Sequence, residues 1–165
     1  MNTQNDSETP ATGQQVITAC AFIHHNFDGV EKLFFPRRAE TKKFLPGVFE
    51  LPGGHIDFGE DIIDGLTREI KEEFSADISI GDPFSSFTYH NPLKGSHSIE
   101  VIYFATLKDG PDSITLNPED HSEYQWMSAA EIPQYLSDKK GADDPEWQAI
   151  RKGFDLLAGK SPFFG

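Results

Sequence analysis

The chain has a single cysteine, Cys20, in 165 residues. One thiol closes no disulfide within the chain, and no cysteine cluster exists that could bind zinc. That usage fits a reducing compartment, so a cytoplasmic location is expected. Basic residues are also scarce. Lys and Arg total 14 against 27 Asp and Glu, for a formal net charge of -13. This argues against a nucleic-acid polymer as the main partner, because phosphate contacts need a basic surface. Small nucleotides stay open, since a metal ion can bridge acidic protein and acidic phosphate. No apolar run approaches a membrane span, and no membrane partner is expected. The opening MNTQNDSETPATGQQ lacks the basic stretch and apolar core of a secretory signal.

The length suits one domain with a proper core and is short for two. Residues 1–14 are polar and read as a mobile, disordered tail, leaving one domain over residues 15–165. VITACAFI at 16–23 reads as a buried strand. NFDG at 26–29 is a turn and KLFF at 32–35 a second strand, so the pair predicts a hairpin. Val48 to Leu51 reads as a short strand running into Pro52-Gly53-Gly54. A helix follows, capped by Asp61, with Ile63, Leu66, Ile70 and Phe74 recurring at steps of three and four. Gly65 inside it implies close packing against a neighbour. Short β-like runs come next, at 78–80, 84–89, 99–107 and 124–127. A short helix at 131–136 and an amphipathic one at 145–157 close the chain. Strands with one helix early and one late predict an α/β fold, an α/β/α sandwich with a mixed sheet.

The early helix poses a question. It carries Glu69, Glu72 and Glu73, and like charges three and four apart repel. At 3.6 residues per turn the three share an arc roughly 100° from the apolar stripe, bordering the buried face. Asp64, Lys71 and Ser75 lie on the far side. A solvated acidic face would account for three glutamates taken alone. A hard divalent cation would account for their place at the edge of a core, because such ions take carboxylate oxygens and let phosphates complete the shell. Gly53 and Gly54 would let backbone approach metal and phosphate without a Cβ in the way.

The spacing extends beyond the helix. Gly54 is followed by five residues and Glu60, then by seven and Arg68-Glu69, then Ile70, Lys71 and Glu72-Glu73. This resembles the Nudix box, G-x5-E-x7-R-E-U-x-E-E-x-G-U with U apolar. Ser75 stands where the pattern has glycine, at a helix end where glycine usually supplies a left-handed cap, and Ala76 is a small version of the last apolar position. The resemblance spans most of residues 15–158 and implies a Nudix hydrolase similar to MutT. Such an enzyme cleaves the pyrophosphate link of a nucleoside diphosphate joined to another group, with Mg²⁺ or Mn²⁺. Dimers are common in the family, so a homodimer is an open expectation.

The resemblance assigns Glu69, Glu72 and Glu73 to the metal, with the Gly53 carbonyl. Arg68 and Glu60 would orient that cluster. A helix glutamate, Glu69 or Glu73, or one from a later loop would be the general base. In NPEDHSE, Glu119, Asp120 and Glu123 are candidates for a further ligand, with Glu119 favoured. Glu100 lies in a strand that otherwise reads as core; it faces the metal site or alternates outward. Arg37 or Arg38 and His55 are candidates for substrate phosphate. Tyr89, Phe22, Phe44 and Phe87 are candidates to stack on a base, although most aromatics at strand positions are core. His90-Asn91-Pro92 and the loop before Glu100 are similar to ADP-ribose-cleaving relatives, whereas PGGHIDFGE looks like triphosphate-cleaving ones.

Two other classes compete. One is a binding module that keeps the fold without turnover. The other is a Nudix-fold isomerase, which would want a cysteine at the site; Cys20 falls on the first strand, away from the box.

Overall fold

A computed structural model describes residues 7–160. Within these residues, six strands form one sheet in the order β4-β5-β1-β2-β6, with β3 paired to β1. They are β1 (Gln15–Phe27), β2 (Val30–Arg38), β3 (Gly53–His55), β4 (Ile78–Asn91), β5 (Ser96–Leu107) and β6 (His121–Ser128). β1 and β5 run parallel and the other pairs antiparallel, so the sheet is mixed. Helix α1 (Ile62–Phe74) follows β3 and helix α2 (Pro145–Leu157) ends the domain. A 3-10 turn over Ala129–Tyr135 contains Pro133, which removes a backbone donor and keeps the segment short.

The two helices cover opposite faces. β1 alternates between them: Ala19, Ala21 and Ile23 join Leu66, Ile70 and Phe74 of α1, while Cys20 and Phe22 join Trp147, Ile150 and Phe154 of α2. This is the α/β/α sandwich the element order implied. Each large apolar side chain buried in these layers contributes about 1.5–3 kcal/mol.

The expected hairpin is present. Phe27 pairs with Val30, and Asp28 and Gly29 both take positive φ (51° and 92°), as a tight two-residue turn requires. Asp61 caps α1, accepting from the N–H groups of Ile63 (2.9 Å) and Asp64 (3.2 Å). The close packing at Gly65 is also present, since a Cβ there would stand 2.6 Å from Ile56 Cδ1.

Several local expectations need correction. Ile63 is exposed, and Ile62 packs on the core in its place, because the buried stripe of α1 runs in steps of four through Leu66, Ile70 and Phe74. Residues 48–51 do not form a strand. Only Phe49 pairs, with Arg37, and the Leu51 N–H donates instead to the Glu146 carboxylate at 3.1 Å. The runs at 78–80 and 84–89 are one strand interrupted by register shifts around Pro83.

Residues 1–6 of the expected tail lie outside the described residues, as do residues 161–165 of the expected domain. Residues 7–14 lie against the domain. Ala11 is buried, its N–H donates to the Lys94 carbonyl at 2.8 Å, and the Gly13 N–H donates to the Gly95 carbonyl at 3.0 Å.

Candidate active site

A cavity of about 1140 Å³ opens between the start of α1, the loop after β2 and the β4–β5 hairpin. Its floor is set by β1 and β3, where Cys20 pairs with Gly53 and Ala19 with Gly54. At Gly53 a Cβ would stand 2.1 Å from the Ala19 carbonyl oxygen, so only glycine lets β3 lie against β1. At Gly54 a Cβ would fall 2.4 Å from the carboxylate of Glu69. This glycine makes room for a side chain of α1 rather than for backbone.

Arg68 organises the carboxylates. Its Nε and Nη2 donate to Glu60 Oε2 (2.8 Å) and Oε1 (2.9 Å), a two-pronged pair. Nη1 donates to Glu69 (3.1 Å) and Glu72 (3.2 Å), and Nη2 also reaches the His55 carbonyl at 3.1 Å. Glu60 accepts a further bond from the Asp57 N–H at 3.0 Å. The Arg68 hydrogen bond holds the Glu60 carboxyl below its ordinary range.

The three glutamates are graded in depth. Glu72 is more than half exposed at 55%, whereas Glu69 retains only 14%. Burial pushes Glu69 up to about 7; Arg68 pulls it back, and Glu72 and Asp57 add to the rise. Glu73 is raised well above the carboxylate range, first by burial and then by Glu69, Glu50 and Asp120. Among the described residues, no three His, Cys, Asp or Glu side chains converge in a ligating group. Arg68 takes one oxygen each of Glu69 and Glu72. The donor set still fits a hard divalent cation: Glu69 and Glu73 are carboxylates at the edge of a core, and burial, ahead of neighbouring charges, disfavours their ionised form until a cation is present.

The remaining candidates separate clearly. Glu119 is exposed at the cavity rim, and Asp120 beside it pairs with Lys42 at 3.0 Å. Glu123 turns away to Arg37, at 3.5 Å. Arg37 is not among the residues lining the cavity; its Nε donates to the Gly47 carbonyl (2.9 Å) and Nη2 to Glu40 (3.0 Å). Arg38 lines the cavity, nearly buried, with Nε on the Phe44 carbonyl at 2.8 Å. His55, Tyr89 and Phe44 also line it, and His55 is buried in β3 rather than solvated. Phe22 and Phe87 pack in the core.

Sequence reasoning passed over Glu50, Glu146 and His121, all of which line the cavity. Burial alone would raise Glu50. The Arg38 guanidinium, together with His121 Nε2 at 2.9 Å, outweighs it and holds the carboxyl at about 2. Glu146 is paired with Lys140. The placement of Cys20 away from the box is corrected as well: it lies opposite Gly53 and faces the cavity. Burial, with Glu100 adding to it, raises its pKa and keeps it a thiol rather than a nucleophilic thiolate.

Glu100 does not alternate outward. It is 5% exposed and lines the cavity, with Thr18 Oγ1 donating to its Oε1 at 3.4 Å. Its Oε2 has no hydrogen-bond partner among the described residues. Leaving such an atom dry costs about 1–3 kcal/mol.

The fold is that of the MutT-like hydrolases. The Methanosarcina mazei MutT protein superposes with a TM-score of 0.69 at 23% identity, covering 93% of this chain and 99% of that one. A Caenorhabditis elegans Ap4A hydrolase gives 0.71 at 23% identity over 87% and 98%. The Nudix domain of Shewanella oneidensis NrtR, complexed with ADP ribose, gives 0.66 at 20% identity over 87% and 88%.

Sequence carries the assignment further. Residues 16–149 match the NUDIX domain model, and the chain belongs to the Nudix hydrolase family. Relatives include an uncharacterised Nudix hydrolase of Nostoc, 31% identical over 64% of this chain and 62% of its own length. Another is the uncharacterised Nudix hydrolase YfcD of Escherichia coli, 26% identical over 80% and 73%. The chain thus spans less than two thirds of the Nostoc relative.

Proposed function

We propose that the protein is a Mg²⁺-dependent pyrophosphohydrolase, with Mn²⁺ as an alternative ion, acting on a nucleoside diphosphate linked to another moiety. The observation that carries this reading is the nearly buried Glu69, seated against Gly54, whose charge acts on the buried Glu73. Folding alone gains nothing from that arrangement, and a cation relieves it. Glu69, Glu72 and Glu73 would hold the metal with the Gly53 carbonyl, and Glu119, which lines the cavity, would add a further ligand. Bound there, the ion supplies charge neutralisation for the diphosphate and a more acidic water.

The chain's own groups do the rest. Glu60 fixes Arg68, and Arg68 fixes the Glu69 and Glu72 carboxylates. Glu69 or Glu73 takes the proton of the attacking water. Arg38, His55 and Tyr89 line the path for the rest of the substrate. Two structural neighbours, an Ap4A hydrolase and a domain complexed with ADP ribose, support a nucleotide as the small-molecule substrate. The lone buried Cys20 supports a reducing, cytoplasmic setting. Among the described residues no helix is long and apolar enough to cross a membrane.

The test is incubation with Mg²⁺ and a panel of nucleoside triphosphates, ADP-ribose, nucleotide sugars and dinucleoside polyphosphates, with products read by mass spectrometry. Cleavage of a phosphoanhydride that stops on chelation is the expected result. Binding without cleavage would make the chain a nucleotide-binding module. Isomerisation of an isoprenoid diphosphate, which releases no phosphate fragment, would move it to the isomerase class.

A further inference from the structure

Four Lys and Arg side chains among the described residues line the cavity, and three of them are committed to the fold. Arg68 has five N–H bonds and five acceptors for them: two oxygens of Glu60, one each of Glu69 and Glu72, and the His55 carbonyl. Arg38 is held at all three nitrogens, by the Phe44 carbonyl, Glu50 and Ser7 Oγ. Lys94 is 1% exposed and donates to the Thr9 carbonyl at 2.9 Å. Lys42 differs. Its side chain is 25% exposed, and its ammonium has one partner among the described residues, Asp120 Oδ1 at 3.0 Å. An ammonium carries three donors, so two remain for a ligand or water.

The backbone under Lys42 is fixed where its tip is loose. The Lys42 N–H donates to the Ala39 carbonyl at 3.1 Å, and the Ala39 N–H donates to the Asp120 carbonyl at 2.9 Å. The loop before Asp120 is tied in turn to α1, with the Asn117 N–H on the Glu73 carbonyl at 3.2 Å. Lys42 is thus carried to the Glu73 end of the carboxylates, whereas Arg68 meets them at Glu69 and Glu72. Its charge registers there: burial raises Glu73 most, and Lys42 opposes the rise.

A single ion pair between partly exposed groups contributes little to stability, so Lys42 is held at Asp120 only loosely. Charge balance asks for such a group. A metal would answer the glutamates of α1, while Arg38 and Arg68 are already matched by Glu50 and Glu60. A diphosphate brings further negative charge and several non-bridging oxygens, each an acceptor for a charge-assisted hydrogen bond. A lysine, a compact charge on a flexible stem, can turn from one acceptor to another.

We propose that Lys42 is a substrate-binding residue that exchanges Asp120 for a non-bridging oxygen of the substrate's diphosphate. The inference rests on the pyrophosphohydrolase reading above. The exchange forms and breaks hydrogen bonds only. Lys42 then supplies the positive charge that neither arginine of the cavity has to spare.

The experiment is calorimetric binding of imidodiphosphate to the full-length protein with Mg²⁺. Its P–N–P bridge resists cleavage, so binding is read apart from turnover. Lys42→Met keeps the stem and removes the charge; it should weaken binding at least about tenfold at unchanged melting temperature. Lys42→Arg, which restores a phosphate-binding cation, should recover affinity to within about threefold. For the anhydride that wild type cleaves, kcat/KM should also fall at least about tenfold in Lys42→Met. A second measurement needs no variant. Acetylation of Lys42 by acetic anhydride, mapped by mass spectrometry on wild type, should be suppressed by imidodiphosphate with Mg²⁺, while that of the exposed Lys43 is not.

Lys42→Met binding imidodiphosphate as tightly as wild type overturns the proposal. So does acetylation of Lys42 at the same rate with and without the probe. Equal loss of binding and of melting temperature in Lys42→Met and Lys42→Arg would make the pair with Asp120 structural and overturn it too. If wild type cleaves nucleotides and Lys42→Met matches it, the inference alone falls. A wild type that binds no diphosphate and cleaves no nucleotide takes the pyrophosphohydrolase reading with it.

Discussion

Replacing Gly54 by alanine tests the geometry of the site without touching an ionisable group. The new Cβ would stand 2.4 Å from Glu69 Cδ and Oε2 and 2.8 Å from Oε1, where ordinary contact begins at 3.4 Å. The carboxylate must withdraw by about 1 Å, and a shift of that size at a reacting centre costs on the order of 100-fold. The obstacle is the free end of a side chain, so the fold gives way cheaply. The loss to stability is at most the Arg68–Glu69 pair at 3.1 Å, about 0–1 kcal/mol for a partly exposed ion pair. Gly53→Ala is the contrasting control. Its Cβ meets backbone, 2.1 Å from the Ala19 oxygen and 2.7 Å from Cys20 Cα, at a φ of +156°. That change should cost at least about 2 kcal/mol, a fall in Tm of roughly 4–8 °C. The assay pairs turnover with Mg²⁺ against thermal melting. Gly54→Ala with wild-type turnover would refute the claim that the carboxylate seated on this glycine is part of the machinery.

Glu73→Gln replaces a buried carboxyl whose ionised form the fold disfavours. It should keep or raise Tm at pH 7 while lowering turnover by at least about 100-fold; a folded variant with normal activity would sink the hydrolase assignment. Ser75 ends α1 in the left-handed region, φ 52° and ψ 29°, so Ser75→Gly should add about 0.5–1 kcal/mol, read in denaturant melts. Glu50 gives a pH signature. Its folded pKa is depressed from 4.5 to about 2, so its contribution is present above pH 4.5 and is lost as pH falls toward 2. The shift is worth about 3 kcal/mol, and Glu50→Gln should flatten stability against pH in that window; an unchanged slope would show that the Arg38 and His121 contacts do not act on it.

The part of the site readable in the sequence is the part that is contiguous. Gly54 to Glu73 are tied by one turn and one helix, so spacing alone brings Glu60, Arg68 and the glutamates together. Glu50, Glu100, His121 and Glu146 arrive from a loop, two strands and a second helix, and only the strand register places them around one cavity. Cys20 was misread for the same reason, since its neighbour Gly53 is distant in sequence and adjacent in the sheet. Arg37 and Arg38 could not be told apart, because the β2–β6 register shifts between them and breaks the period of two. The sandwich itself was legible. β1 is apolar over 16–23 except at Thr18, as the middle of a strand between two helices must be, and two amphipathic helices supply the covers.

The segment before β1 bears on how the protein should be handled. The Asn91 side chain donates to the Ser7 carbonyl at 2.9 Å, Lys94 Nζ to the Thr9 carbonyl at 2.9 Å, and Arg38 Nη2 to Ser7 Oγ at 3.4 Å. Ser7, Thr9, Pro10 and Ala11 are thereby part of the cavity wall. Trimming to the conserved-domain span, residues 16–149, would breach the reaction vessel on that side and would also cut α2 ahead of its buried anchors Ile150 and Phe154. A purification tag is better placed with a spacer ahead of residue 7, and a substrate profile measured on a shortened chain would describe a different pocket.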